Sequence, residues 1–331
     1  MQATDDGRRL SPLPGYSLIR SVLALALVLA GCAPPPLAQG QTPGPRHGHE
    51  MVYDEARGVT LLFGGFGADG VPLGDTWLWD GTTWRLAATD GPSPRKWAAA
   101  AYDSRRQVVV LHGGREGVGR TGRSLRDTWV WDGTRWSRVE VDGPTVRDHH
   151  RAAYDRARDR VVLFGGWNGE ALSGDTWEWD GSRWERVATT GPSARAPVGR
   201  GYHEERDMLV LAGGQDLEQV FGDMWSWDGS SWSQLDARMP HPRGFHAMTY
   251  FPDTASILLF GGRDGDELYN DLWSWSGGEW NALSADGPRR RGIYASAFDR
   301  RRGQLVVHGS GDRAGGEWRL REAISYPADA S

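Results

Sequence analysis

Short apolar runs recur along the chain, each closed by a polar turn. In the first set, Gly48–Tyr53 is mostly apolar and ends in the turn 54–58. Val59–Phe63 follows and stops at Gly64 and Gly65. Asp75–Trp79 alternates, so Trp77 and Trp79 fall on one face of a strand and Leu78 on the other. Asp80 and Gly81 form a hairpin signal, because glycine accepts a positive φ without a steric penalty. Trp84–Ala87 makes a last run before Asp90, Gly91 and Pro92 break the chain. The pattern predicts four short antiparallel strands.

The same set returns. Gly64, Gly113, Gly165, Gly213, Gly261 and Gly309 close the second run of successive repeats, spaced 49, 52, 48, 48 and 48 residues apart. Trp77, Trp129, Trp177, Trp225, Trp273 and Trp318 mark the third run. Four strands at this period make one blade of a β-propeller, and a lone blade cannot cover both its faces. The fold class is therefore all-β: a six-bladed propeller over residues 45–326, with a short tail at 327–331. Of the 18 tryptophans, 15 fall in Trp-x-Trp-x4-Trp triplets, one per repeat for five repeats. Each buried tryptophan brings roughly 150–250 Å² of surface, so these are read as packing between blades.

Composition narrows the function. The formal charge of −5 gives no basic footprint for nucleic acid. A single cysteine, Cys32, excludes an internal disulfide framework, a cysteine zinc site and an iron–sulfur cluster. Arg8, Arg9 and Arg20 precede the apolar stretch Ser21–Ala30, which reads as a signal peptide over 1–31. Leu29, Ala30, Gly31 and Cys32 resemble a bacterial lipobox, which implies lipidation of Cys32 and a membrane partner through that anchor. Residues 32–44, rich in proline and glycine, then read as a tether. The expected location is the bacterial cell envelope, exported and lipid-anchored.

The combination of arginine, Tyr-Asp, a glycine doublet, Asp-Thr-Trp and a further tryptophan resembles the kelch repeat over about residues 45–320. The resemblance implies a propeller whose first strand is innermost. The last repeat departs from it: His308, Gly309 and Ser310 replace the doublet, and Trp318 lacks its partners. Its outer strand is placed at Ala323–Tyr326 or is missing. Resemblance to galactose oxidase, a copper-radical kelch enzyme, implies a cysteine cross-linked to the active-site tyrosine. No cysteine lies in the propeller, so that activity is rejected and no cofactor is expected.

Antiparallel order puts the inter-blade linkers and the loops after the glycine doublets on one face. Those loops differ from repeat to repeat, beginning at Phe66, Arg115, Trp167, Gln215 and Arg263, and varied loops on a rigid frame carry specificity. On the same face, an arginine stands seven residues before each first-strand aromatic: Arg46, Arg95, Arg147, Arg195, Arg243 and Arg291. These read either as an anion-binding ring or as structural partners of Asp75, Asp127, Asp175, Asp223 and Asp271. His49, His150 and His246 occupy equivalent positions in alternate blades and are where a metal would have to sit, although none is expected.

Two functions remain. The favoured one is a non-catalytic binding or scaffold lipoprotein whose varied-loop face meets a glycan or a protein. The alternative is a periplasmic carbohydrate-active enzyme similar to a sialic acid mutarotase. An enzyme would need a closed pocket holding a perturbed carboxylate beside an arginine.

Overall fold

The computed structural model describes residues 42–119, 122–265, 267–284, 294–309, 313, 314, 317 and 318. The chain divides into the units Met1–Pro36 and Leu37–Ser331. The expected leader, Cys32, most of the expected tether, Arg291 and the strand expected at 323–326 lie outside the described residues.

One five-stranded and four four-stranded antiparallel sheets follow one another. Blade one comprises Glu50–Asp54, Val59–Gly67, Pro72–Trp79 and Trp84–Ala88, with Arg46–His47 added beside the second strand. The first strands of blades two to five are Ala99–Asp103, Arg151–Asp155, Gly199–His203 and Ala247–Phe251. In the sixth place stands a two-stranded hairpin, Tyr294–Asp299 with Gln304–Gly309. A separate two-residue ladder pairs Arg313–Ala314 with Glu317–Trp318. The six blades expected, the last of them atypical, are thus found as five full blades and an inner hairpin among the described residues.

Neighbouring first strands lie side by side around an axis, and that of the hairpin lies between those of blades five and one. Apolar residues fill every seam. Phe63 and Leu78 meet Leu111, Trp131 and Trp136 between blades one and two. Alternation works as the pattern requires: Trp77 packs on the opposite side from Leu78, in a cluster with Ala297 and Val306 of the hairpin.

Tryptophan also supplies polar links across seams. Trp136 Nε1 donates to Thr76 Oγ1 of the preceding blade at 2.8 Å, Trp184 to Thr128 at 3.0 Å and Trp232 to Thr176 at 2.8 Å. The first tryptophan of each triplet instead donates to the aspartate two residues before it, as Trp77 does to Asp75 at 2.6 Å. The glycine doublet is required where linker and blade touch. Gly64 and Gly65 have φ of +68° and +99°, and a Cβ there would fall 2.7 Å from Arg95 O and 2.9 Å from His47 O.

Candidate binding face and axial chamber

The arginine positions resolve into one repeated contact. Arg147 Nη1 and Nη2 donate to Asp175 at 2.9 and 3.1 Å, and Nη1 also donates to Gly165 O at 3.0 Å. Arg46, Arg95, Arg195 and Arg243 do the same with Asp75, Asp127, Asp223 and Asp271. These five arginines are at most 3% exposed. Each pins a linker to the glycine doublet and third strand of its own blade, which takes it off the binding face. Burial pushes each aspartate up, but the arginine bonds outweigh it and hold the carboxyl below its usual range.

The three histidines sit in different seams. The His49 ring meets that of His308 at 5.0 Å, and the His150 ring meets that of His112 at 5.6 Å. His246 lies against Gly199 and Gly213 of blade four. No group of three potential metal ligands forms among the described residues. Burial, the largest cause, drives His49 and His150 well below the ordinary histidine range and His246 down to about 3.

The loop residues behave differently from one another. Phe66 is 7% exposed and lies beneath the Lys96 ammonium, 3.7 Å from its ring centre, so it cannot act as an open platform. Arg115, Trp167 and Gln215 do converge, in a cleft of about 340 Å³ also lined by Trp97, His149 and Phe245. Arg263 joins its edge by stacking over Phe245 at 4.5 Å. That volume lies at the lower end of small-ligand sites.

Trp97, His149 and Phe245 are a set that the sequence pattern does not announce. Each stands two residues after a linker arginine, with φ of 56°, 57° and 58°. A bulky residue with positive φ is uncommon, and such strain gathers at functional sites. Their backbones run around the mouth of the axis: Trp97 N donates to Gly48 O at 2.7 Å and His149 N to Trp97 O at 3.0 Å. The Trp97 and His149 rings stack at 3.7 Å, and Phe245 meets His149 edge-on at 6.1 Å. Gly48 is the equivalent residue of blade one; a Cβ there would lie 2.7 Å from the Trp97 indole nitrogen.

Beside this cleft, Asp148 accepts a hydrogen bond from Ser124 at 2.6 Å and faces His149 Nδ1 at 2.5 Å. Both partners bond the carboxylate, and no bond joins serine to histidine. The cluster orients His149 and leaves Ser124 without a base.

Below the aromatic mouth lies a small, partly open chamber of about 40 Å³. Glu50, Arg151 and Arg200 reach into it from blades one, three and four. Glu50 stands 3.5 Å from Arg151 and 3.4 Å from Arg200. Burial raises the Glu50 carboxyl above its usual range, and the two guanidiniums only partly offset this. At the other end of the axis, Glu55 and Glu204 alternate with Arg156 and Arg300 in a four-membered ion-pair ring.

Three comparisons bear on this architecture. Residues 82–238 match the model of the KLHDC2/KLHL20/DRC7 kelch-repeats domain. A stretch of 150 residues is 34% identical to the dynein alpha chain of the flagellar outer arm of Chlamydomonas reinhardtii, covering 40% of this chain and 3% of that protein. Another of 143 residues is 34% identical to an F-box/kelch-repeat protein of Arabidopsis thaliana, covering 38% of this chain and 28% of that protein. The solved structure of YjhT superposes with a TM-score of 0.68 over 87% of this chain and 95% of that one, at 15% identity. The likeness to YjhT is one of fold, and the chain spans less than a third of either curated relative. Repeat chemistry, family model and architecture agree that this chain carries a kelch-repeat domain folded as a β-propeller.

Proposed function

We propose that this protein is a binding or scaffold lipoprotein of the bacterial cell envelope. It is anchored through a lipidated Cys32, and the inner hairpin belongs to a sixth blade that completes the ring. Its varied-loop face meets a glycan or a protein partner. The observation that carries the reading is the aromatic cleft at the mouth of the axis, where Trp97, Trp167 and Phe245 stand beside Arg115 and Gln215. Aromatic faces with a few convergent polar groups suit a sugar ring or a peptide side chain. A glycan array probed with the full chain, followed by calorimetry of the best binder, tests it. Trp167→Ala is expected to weaken binding at least tenfold. Equal binding by the variant would remove the cleft from the reading.

One observation favours the alternative, an enzyme on acidic sugars: Glu50 is a perturbed carboxylate beside two arginines in the axial chamber. Magnitude weighs against it. A chamber of about 40 Å³ is far below the ~300 Å³ at which small-molecule sites begin. Turnover of an acidic sugar by the purified chain, abolished in Glu50→Gln, would reverse this ranking.

A further inference from the structure

The axial chamber has its own chemistry, independent of what the rim binds. We propose that it is a binding site for a small carboxylate anion, of the size of formate or acetate, held by Arg151 and Arg200. Among the residues lining the chamber, Glu50 is the one acid, set against two guanidiniums. That leaves one positive charge uncompensated within the cluster. Both ion pairs are long, at 3.5 and 3.4 Å, and both arginine side chains keep partial access, 17% and 23%. Arg200 is aimed by its other contacts, donating through Nε to Ala152 O and through Nη2 to Ala100 O at 3.3 Å. Its bonds therefore draw on inner strands of two other blades and hold the guanidinium plane near the axis.

Size selects the ligand. One water-sized probe needs roughly 10–15 Å³, so about 40 Å³ holds around three heavy atoms. A formate or acetate head fits; a sugar acid does not. Guanidinium groups match the planar carboxylate, and their partly buried setting strengthens the attraction.

Thermal denaturation and calorimetry of the full chain test this, with acetate varied at constant ionic strength and pivalate as the bulky control. Saturable stabilisation by acetate and none by pivalate is expected, with loss of the acetate effect in Arg200→Met. Equal shifts from both anions, or an undiminished acetate effect in Arg200→Met, would overturn the site. If Arg200→Met does not fold, Glu50→Gln decides. Removing the competing carboxylate is expected to tighten acetate binding at least tenfold, and unchanged or weaker binding would overturn the proposal. None of these outcomes bears on glycan or protein binding at the rim, so the two readings fail separately.

Discussion

Arg147 shows what a single repeated residue does. Its side chain is fully buried, while Asp175 keeps 20% of its side chain accessible. Removing one member of a buried pair strands the other, at a cost of ~3–5 kcal/mol. Because Asp175 can recover some water, Arg147→Ala is expected near the lower end, about 3 kcal/mol by urea denaturation. A loss below about 0.5 kcal/mol would mean that the pair is not holding the linker. Histidine gives a second test at this scale. His112 and His246 are driven down to about 3 by burial, and His49 and His150 also lie well below 6.5. The unfolded chain takes up these protons as pH falls through about 6.5, whereas the folded chain resists. Stability present above pH 6.5 is therefore lost progressively toward pH 3. The ring aspartates, held below 3.8, add their loss only further down. Melting temperatures are expected to be lower at pH 5 than at pH 7.5; a flat profile between them would contradict the burial of neutral imidazoles.

Between elements, the contacts that join blades are more telling than those within them. Asp54 accepts from Arg57 at the turn of blade one, and Arg57 reaches across to Asp132 O in blade two. Arg106 and Arg302 repeat this clasp, with Arg302 bonding Gly58 O across the junction of hairpin and blade one. The arginines of these clasps are about one-third exposed but their aspartates are buried, and Asp54 keeps the bond from the backbone amide of residue 57, so Arg57→Ala is expected to cost about 1–3 kcal/mol. The tryptophan links are buried and should cost more. Trp184→Ala removes a packed ring and the bond to Thr128, and a loss of about 3–5 kcal/mol is expected. A reversal of that ranking in chemical denaturation would show that the turns, not the seams, hold the blades together. These elements were legible in sequence because each recurs at one register: triplets, doublets and arginines all repeat near 48 residues. The rim was not legible, because its register carries Gly48, Trp97, His149, Pro197 and Phe245, which share a place but no chemistry. Glu50, Arg151 and Arg200 were hidden for a related reason. They come from three blades and do not share one register, so only the closed ring brings them together.

At the level of the whole molecule, the ring sorts its two faces by what repeats. Uniform hairpin turns such as 132–135 mark one face; Asp132 binds the amides of Thr134 and Arg135 and leaves little to vary. The opposite face carries the aromatic mouth and the exposed tip residue Leu217, 84% accessible. If this face is where a partner sits, a photocrosslinking side chain at position 217 is close to the cleft and one at position 134 is across the molecule. The decisive measurement is crosslinking of the full chain in intact cells from each position in turn. Adducts from position 217, lost on combining it with Trp97→Ala, with none from position 134, are the expected result. Equal adducts from both positions, or adducts from position 134 alone, would contradict a binding role for the varied-loop face.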